Sequence, residues 1–227
     1  MTRRITFAEE EYFHLYNRGT EKRDIFLTSE DYLRFMALLY ACNTNKPVVI
    51  KLQGRTLEDV LRTQRDDNIV DIGAYCLMPN HFHLLVREKT GGGISKFMQK
   101  LITGYTMYFN KKNERTGSLF QGKFKAQHAD TDRYLSYLLS YIHLNPVKLL
   151  ESKWKIDGIK DKEKVENFLD GYAYSSYPDY FGTLKRGEEE IINKQCLPDY
   201  FSQEDAFERQ IGDWLEYQNE FQGSTLE

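Results

Sequence analysis

Ile69-Val70-Asp71-Ile72-Gly73-Ala74-Tyr75-Cys76-Leu77-Met78-Pro79-Asn80-His81-Phe82-His83-Leu84-Leu85-Val86-Arg87 is the stretch that decides the fold. Ile69, Val70 and Ile72 open a strand that runs to Leu77. Met78-Pro79-Asn80 reads as a tight turn, and His81 to Arg87 as the returning strand. Side chains alternate along a strand, so His81 and His83 share one face and Phe82 takes the other. Two imidazoles close together on a fixed backbone are half a metal site. One pair cannot hold a metal alone, and two polar residues on a solvated sheet face are the plain alternative.

Upstream of the hairpin, residues 1–10 read as a loose arm. Tyr12 to Asn17 alternates as a strand, ended by Arg18-Gly19. Ser29 is the expected N-cap of a helix running to about Cys42, with apolar Tyr32, Leu33, Phe35, Met36 and Leu39. Residues 43–68 read as an insertion, with a short strand at Val48-Val49-Ile50 and a helical turn from Leu57 to Arg62. Downstream, Gly91-Gly92-Gly93 breaks the pattern. From Ile94, apolar Phe97, Met98, Leu101, Ile102, Tyr105, Tyr108 and Phe109 recur at intervals of three and four, which predicts a helix. Asn110 to Ser118 is a basic, turn-rich loop, and Lys123 to His128 alternates as a strand. Asp130 or Thr131 caps a last helix through Leu144, ended by Pro146.

Leaving out the insertion, the first six regular elements are βαββαβ, a ferredoxin-like α+β core. Its sheet is antiparallel with helices on one face, which leaves the other face to carry a site. The core occupies residues 1–150. Residues 151–227 form a mainly helical and irregular extension, in which the aromatic run Gly171 to Gly182 packs the tail onto the core. Phe207, Ile211, Trp214 and Leu215 suggest a closing amphipathic helix.

A length of 227 residues suits one core with an appendage, and 41% apolar residues suffice to fill it. No apolar run approaches membrane-spanning length and no secretory segment opens the sequence, so a cytoplasmic protein without a membrane is expected. Cys42, Cys76 and Cys196 follow no pairing or zinc spacing and read as reduced thiols. The net charge of −3 is unevenly distributed. Residues 1–95 are neutral overall. Residues 96–148 carry 9 basic against 3 acidic side chains, whereas residues 149–227 carry 9 against 18. A basic middle segment suits a polyanionic partner.

The last core helix carries Tyr134, Tyr137, Tyr141 and Asn145 on one face, at spacings of three, four and four. Leu135, Leu138, Leu139 and Ile142 take another face, suited to the core. Tyrosine stripes usually pack. Asn145 extends this one with an amide, a poor packing residue but an adequate oxygen ligand. Two imidazoles on a central strand and an amide one turn from a tyrosine could meet around one divalent cation. Such a cation polarises a phosphate oxygen while a tyrosine attacks phosphorus, giving a covalent phosphotyrosine. A phenol with a pKa near ~10 is a weak nucleophile without such help. A covalent link also conserves the phosphoester bond, which suits cutting and rejoining better than hydrolysis.

His81-Phe82-His83 matches the His-hydrophobic-His motif of the HUH superfamily. The chain resembles its single-tyrosine transposases, which include small insertion-sequence transposases and REP-associated tyrosine transposases. Besides Met78-Pro79-Asn80-His81-Phe82-His83, three stretches carry the resemblance: His14-Leu15-Tyr16-Asn17-Arg18-Gly19, Phe120-Gln121-Gly122-Lys123-Phe124 and Tyr141-Ile142-His143-Leu144-Asn145-Pro146-Val147-Lys148. Together they span about residues 12–150. Tyr174-Ser175-Ser176-Tyr177 also resembles a segment that follows the core in such proteins. The resemblance implies cleavage and strand transfer of single-stranded DNA near hairpins, through a 5′-phosphotyrosine. It makes His81 and His83 metal ligands, Tyr141 the nucleophile and Asn145 the candidate third ligand. Imidazole chemistry alone would also admit zinc; the preference for Mg²⁺ or Mn²⁺ comes from the resemblance.

The candidate DNA contacts are Arg18, Lys22 and Arg23 after the first strand, Lys111, Lys112 and Arg115 in the basic loop, and Gln121, Lys123 and Lys125 along the fourth strand. Basic side chains hold phosphates, and amides read unpaired bases. His143 points off the tyrosine face and reads as structural; His128 ends the fourth strand, at the margin of the site. The partner is then single-stranded or hairpin DNA, and the protein a monomer or homodimer. A domesticated protein that binds hairpins without cutting them is the alternative, and a phosphohydrolase without a covalent step is a third reading.

Overall fold

The computed structural model describes residues 6–47, 56–64, 67–198, 211–212 and 214. In chain order the core comprises β1 (Tyr12–Arg18), α1 (Ser29–Ala41), α2 (Leu57–Leu61), β2 (Val70–Met78), β3 (His81–Glu88), α3 (Gly93–Lys112), β4 (Lys125–Ala129) and α4 (Asp132–Leu144). After α4 follow α5 (Val147–Leu150), α6 (Trp154–Asp157), α7 (Lys162–Asp170) and α8 (Tyr177–Phe181), the last three in the extension. The four strands form one antiparallel sheet in the order β2-β3-β1-β4. This is the ferredoxin-like α+β arrangement that the order of elements predicts.

The deciding hairpin closes tightly. Met78 pairs with His81, so Pro79-Asn80 is a two-residue turn. The chain after β1 pins that turn: the amides of Ile25 and Phe26 donate to the Pro79 carbonyl, and Asn80 Nδ2 donates to the Lys22 carbonyl. A bulge at Gly73 shifts the register of β2 between Ile72 and Ala74. It sends Ile72 to one core and Ala74 to the other.

Helix α1 is capped one residue earlier than the sequence suggested. Thr28 is the N-cap, and Asp31 completes a capping box by accepting the amides of Leu27 and Thr28 at 2.8 and 3.0 Å. Asp31 occupies the third helical position only with that choice. The helical turn in the insertion forms as α2, again with a capping box, at Thr56 and Asp59. Val48 to Ile50, the start of the N-terminal arm, Phe207 and Leu215 lie outside the described residues.

The two faces of the sheet bury different layers. Phe13, Leu15, Phe82, Leu84 and Val86 pack with the apolar faces of α1 and α3. Ala74, Cys76, Met78 and Leu85 pack with α4, Trp154, Val165, Leu169 and Tyr177. The second face is therefore not free, contrary to the expectation of helices on one side only. Leu135, Leu138, Leu139 and Ile142 of α4 need burial, at about 1.5–3 kcal/mol each, and the sheet provides it.

The extension also closes the outer edge of β2. The Leu77 amide donates to the Tyr174 carbonyl and the Ser176 amide to the Tyr75 carbonyl, both at 2.9 Å. Tyr172 and Tyr180 hydroxyls donate to the Leu77 and Gly73 carbonyls at 2.8 and 2.6 Å. An exposed strand edge is thereby satisfied, which explains the aromatic run from Gly171 to Gly182. Ile211 and Trp214 are buried in the same layer, with the Trp214 ring 4.6 Å from that of Trp154.

Candidate functional site

Strand alternation and pairing assemble one polar patch on the α4 side of the sheet. Tyr16 lies directly across from His83, and Arg18 across from His81. His14 precedes Tyr16 on the same face, and Gln127 and Lys125 of β4 are their register partners. The inner strands β1 and β3 thus carry His14, Tyr16, Arg18, His81 and His83 at the middle of the sheet, beneath α4.

Helix α4 brings Tyr141 to the histidines. The Tyr141 ring centroid is 5.3 Å from that of His83 and 5.9 Å from that of His14, edge-on in both cases. Tyr134, Tyr137 and Tyr141 stack in series 6.0 Å apart, so their shared face is real. Asn145 follows as the helix C-cap, with helical angles of φ −56° and ψ −40° despite Pro146 next to it. The restriction that proline imposes is overcome because the chain turns directly into α5. Its Nδ2 donates to the Tyr141 backbone carbonyl at 3.3 Å, and its amide lies near enough to His81 and to the Tyr141 phenol to influence the titration of both.

The histidines are held neutral and oriented. His81 and His83 ring centroids are 5.0 Å apart. His81 Nδ1 is 2.6 Å from the Asn80 side-chain Oδ1, so Nδ1 carries the proton and Nε2 keeps its lone pair. His83 Nδ1 is 2.8 Å from His14 Nε2. When His83 donates, its Nε2 lone pair is also presented, and His14 retains its proton on Nδ1, a buried atom without a hydrogen-bond partner. Burial lowers the pKa of His81 to about 4, helped by the nearby Arg18 charge and opposed by Asn145. Burial also holds His83 well below its ordinary value and His14 at about 3. Near pH 7 all three are therefore neutral imidazoles, able to act as ligands without first losing a proton. Burial pushes the Tyr141 phenol above its ordinary value, and Asn145 pulls it back down.

The donor set fits a divalent cation. No group of three or more His, Cys, Asp or Glu side chains suited to a metal exists among the described residues. A site built on His81 and His83 must therefore recruit an oxygen of another type, and the Asn145 amide near His81 is placed to supply one.

The expected DNA contacts divide. Arg18 and Lys125 stand on the site face, with Lys125 Nζ 5.8 Å from the Tyr16 ring centroid. The Gln121 amide donates to the Arg18 carbonyl at 2.8 Å, which brings the fourth-strand approach beside Arg18. Lys123 is exposed in the same connection, and Lys22 is exposed beside the Pro79-Asn80 turn. Arg23 is turned onto Glu21 and the Thr20 carbonyl. Lys111, Lys112 and Arg115 lie at and beyond the end of α3, across the sheet from the histidines. Lys112 is committed to Asp31 and Glu30 at 2.8 and 2.9 Å, so its charge serves the α1–α3 contact. Arg115 lies over the Phe109 ring. His128 faces away from the site, 2.8 Å from Glu11 and stacked on Phe13. His143 bonds Ser176 Oγ at 2.9 Å and binds the extension to α4.

Sequence reasoning missed four neighbours. His14 and Tyr16 lay within a quoted motif, and their alternation with Arg18 was a sufficient signal. Lys148 lay in another quoted motif without a role. Lys155 had no local signal: α6 brings it over Tyr141 from beyond the core.

Residues 35–145, from within α1 to the end of the tyrosine helix, match the model of the family described as IS200-like transposases. The family resemblance drawn from the motifs is borne out over that segment. Among solved structures, the fold is similar to that of a REP-associated tyrosine transposase bound to a REP hairpin. The TM-score is 0.51 at 12% identity, over 83% of this chain and 90% of that one. A tRNA(His) guanylyltransferase from Saccharomyces cerevisiae aligns over 89% of this chain and 85% of its own at 13% identity, but its TM-score of 0.37 carries no argument. No curated protein sequence matches the chain significantly. No helix among the described residues is long and apolar enough to cross a membrane.

Proposed function

We propose that this chain, whose residues 35–145 match the IS200-like transposase family, is a metal-dependent endonuclease and strand transferase. Its substrate is single-stranded DNA, cleaved near a hairpin through a 5′-phosphotyrosine. The observation that carries the reading is the meeting of Tyr141 with His83 at 5.3 Å, with Asn145 near both His81 and the Tyr141 phenol. The hairpin held by the structurally similar transposase supports the choice of DNA form.

In this reading His81, His83 and Asn145 would hold Mg²⁺ or Mn²⁺. Such a cation, when bound, neutralises a non-bridging phosphate oxygen. The Tyr141 oxygen attacks phosphorus, the bond to the 3′ oxygen breaks, and that oxygen leaves as a hydroxyl. It takes up one proton for the one the phenol gives up. Rejoining reverses the step, with a 3′-hydroxyl attacking the phosphotyrosine and restoring the phenol. Asn145 favours the reaction by stabilising the phenolate, against the burial that disfavours it. Residues 1–150 form the catalytic unit and residues 151–227 the extension. Tyr141 and the histidine pair meet within one chain, which supports action in cis by a monomer.

Replacing Tyr141 by phenylalanine tests the reading. The variant is expected to form no covalent adduct with a hairpin oligonucleotide in Mn²⁺ while binding it nearly as well as the parent. An adduct that persists moves the nucleophile to Tyr137 or Tyr134. The burial of Tyr141, 4% exposed, favours a second reading in which the protein binds hairpins without cutting them. Absence of cleavage by the parent chain on every hairpin substrate, with binding intact, would select it.

A further inference from the structure

Lys155 belongs to α6, beyond the core, yet it reaches the candidate site. Its ammonium nitrogen is 4.4 Å from the Tyr141 ring centroid and 5.9 Å from that of Trp154. The residue as a whole keeps solvent contact. Desolvation around the amine lowers its pKa to about 8, and Lys148 adds repulsion. Holding a partly desolvated cation beside another cation is costly, and folds ordinarily offset it with a carboxylate. Among the described residues no carboxylate pairs with Lys155, Lys148 or Arg18.

The three cations come from separate elements and act on one neighbour, His81. Arg18 ends β1 across from His81, Lys148 lies in α5 and Lys155 in α6. Residues 149–227 carry 18 acidic against 9 basic side chains, yet the one turned over Tyr141 is a lysine. A positive seat without a counter-charge among the described residues, open to solvent, suits an anion from outside.

We propose that Lys155, with Lys148 and Arg18, is an anion seat for the non-bridging oxygens of the phosphodiester that Tyr141 attacks, so that the segment after the tyrosine helix completes the site in cis. This rests on the reading of Tyr141 as nucleophile. During attack the charge on the phosphoryl oxygens grows, and fixed cations stabilise the crowded state more than the bound substrate. Because Lys155 also covers the ring of the attacking residue, its charge stabilises the phenolate as well.

The test compares Lys155→Gln with Lys155→Arg, and with Lys164→Gln as a control in α7, all checked for an unchanged unfolding midpoint. Single-turnover adduct formation with a hairpin oligonucleotide should fall about 100-fold in Lys155→Gln, recover in part in Lys155→Arg, and stay at the parent rate in the control. With a neutral methylphosphonate at the cleaved linkage, the gap between Lys155→Gln and the parent should narrow to what Lys155 contributes through the phenolate. A Lys155→Gln variant that forms adduct at the parent rate overturns the proposal, as does an equal loss on both linkages. Should the parent chain form no adduct at all, the reading of Tyr141 falls and acetylation footprinting decides the seat alone. Protection of Lys155 by the oligonucleotide would keep it; acetylation unchanged by the oligonucleotide would overturn it.

Discussion

The two faces of this sheet are made by alternate residues of the same strands, and they do opposite things. On the α1–α3 side, Phe13, Leu15, Phe82 and Leu84 are all within 1% of complete burial and purely apolar. On the α4 side, the residues between them are His14, Tyr16, His81 and His83. The first face gains stability from close packing. The second spends some, since His14 and His83 are buried polar groups and His14 Nδ1 lacks a partner. A strand whose neighbours differ this sharply keeps its register, because a slip of one residue would bury the imidazoles under α1 and α3 and turn phenylalanines toward Tyr141.

Three substitutions separate the faces further. Phe82→Ala is expected to cost about 3–5 kcal/mol of stability, measured by urea unfolding, since Phe82 is fully buried against Phe35 and Phe120. A loss under ~1 kcal/mol would mean that this face is not close-packed. His14→Phe is expected to preserve the fold and weaken Mn²⁺ binding about 10–100-fold, read by titration calorimetry or by the electron spin resonance of free Mn²⁺. Parent-like affinity would remove His14 from the support of His83.

A pH-dependent effect concerns His143, at the joint between α4 and the extension. Its folded pKa of about 3 lies below its value of ~6.5 in an unfolded chain. The unfolded state therefore binds the proton first. The contribution of His143 is fully present above pH ~6.5 and declines as pH falls toward 3, by up to ~1.4 kcal/mol per pH unit. His143→Gln should flatten the stability profile across that window. An unchanged profile would show that His143 does not carry the acid sensitivity of the joint.

Much of the fold was legible because its signals are local. The apolar spacing from Ile94 to Phe109, the Pro79-Asn80 turn and the alternation through His81 to Arg87 each state their element within a few residues. The cap at Thr28 was read one residue late because two adjacent hydroxyl residues compete, and only the position of Asp31 decides between them. The tyrosine stripe and Asn145 were visible as one helical face, which a backbone rotation of 100° per residue guarantees. Lys112 was misleading for the opposite reason. Its charge is plain in sequence, but Asp31, which consumes it, is 81 residues away.

What the sequence determined by itself was the order of elements, the histidine pair on one strand face and the tyrosine stripe on one helix face. These follow from backbone periodicity, which needs no knowledge of distant partners. Tertiary structure alone decided that α4 lies over β3, that His14 rather than a carboxylate supports His83, and that Lys155 covers Tyr141. Those contacts join residues tens of positions apart. They depend on which apolar surfaces pair and on where the strands run in the sheet, and no short window of sequence records either.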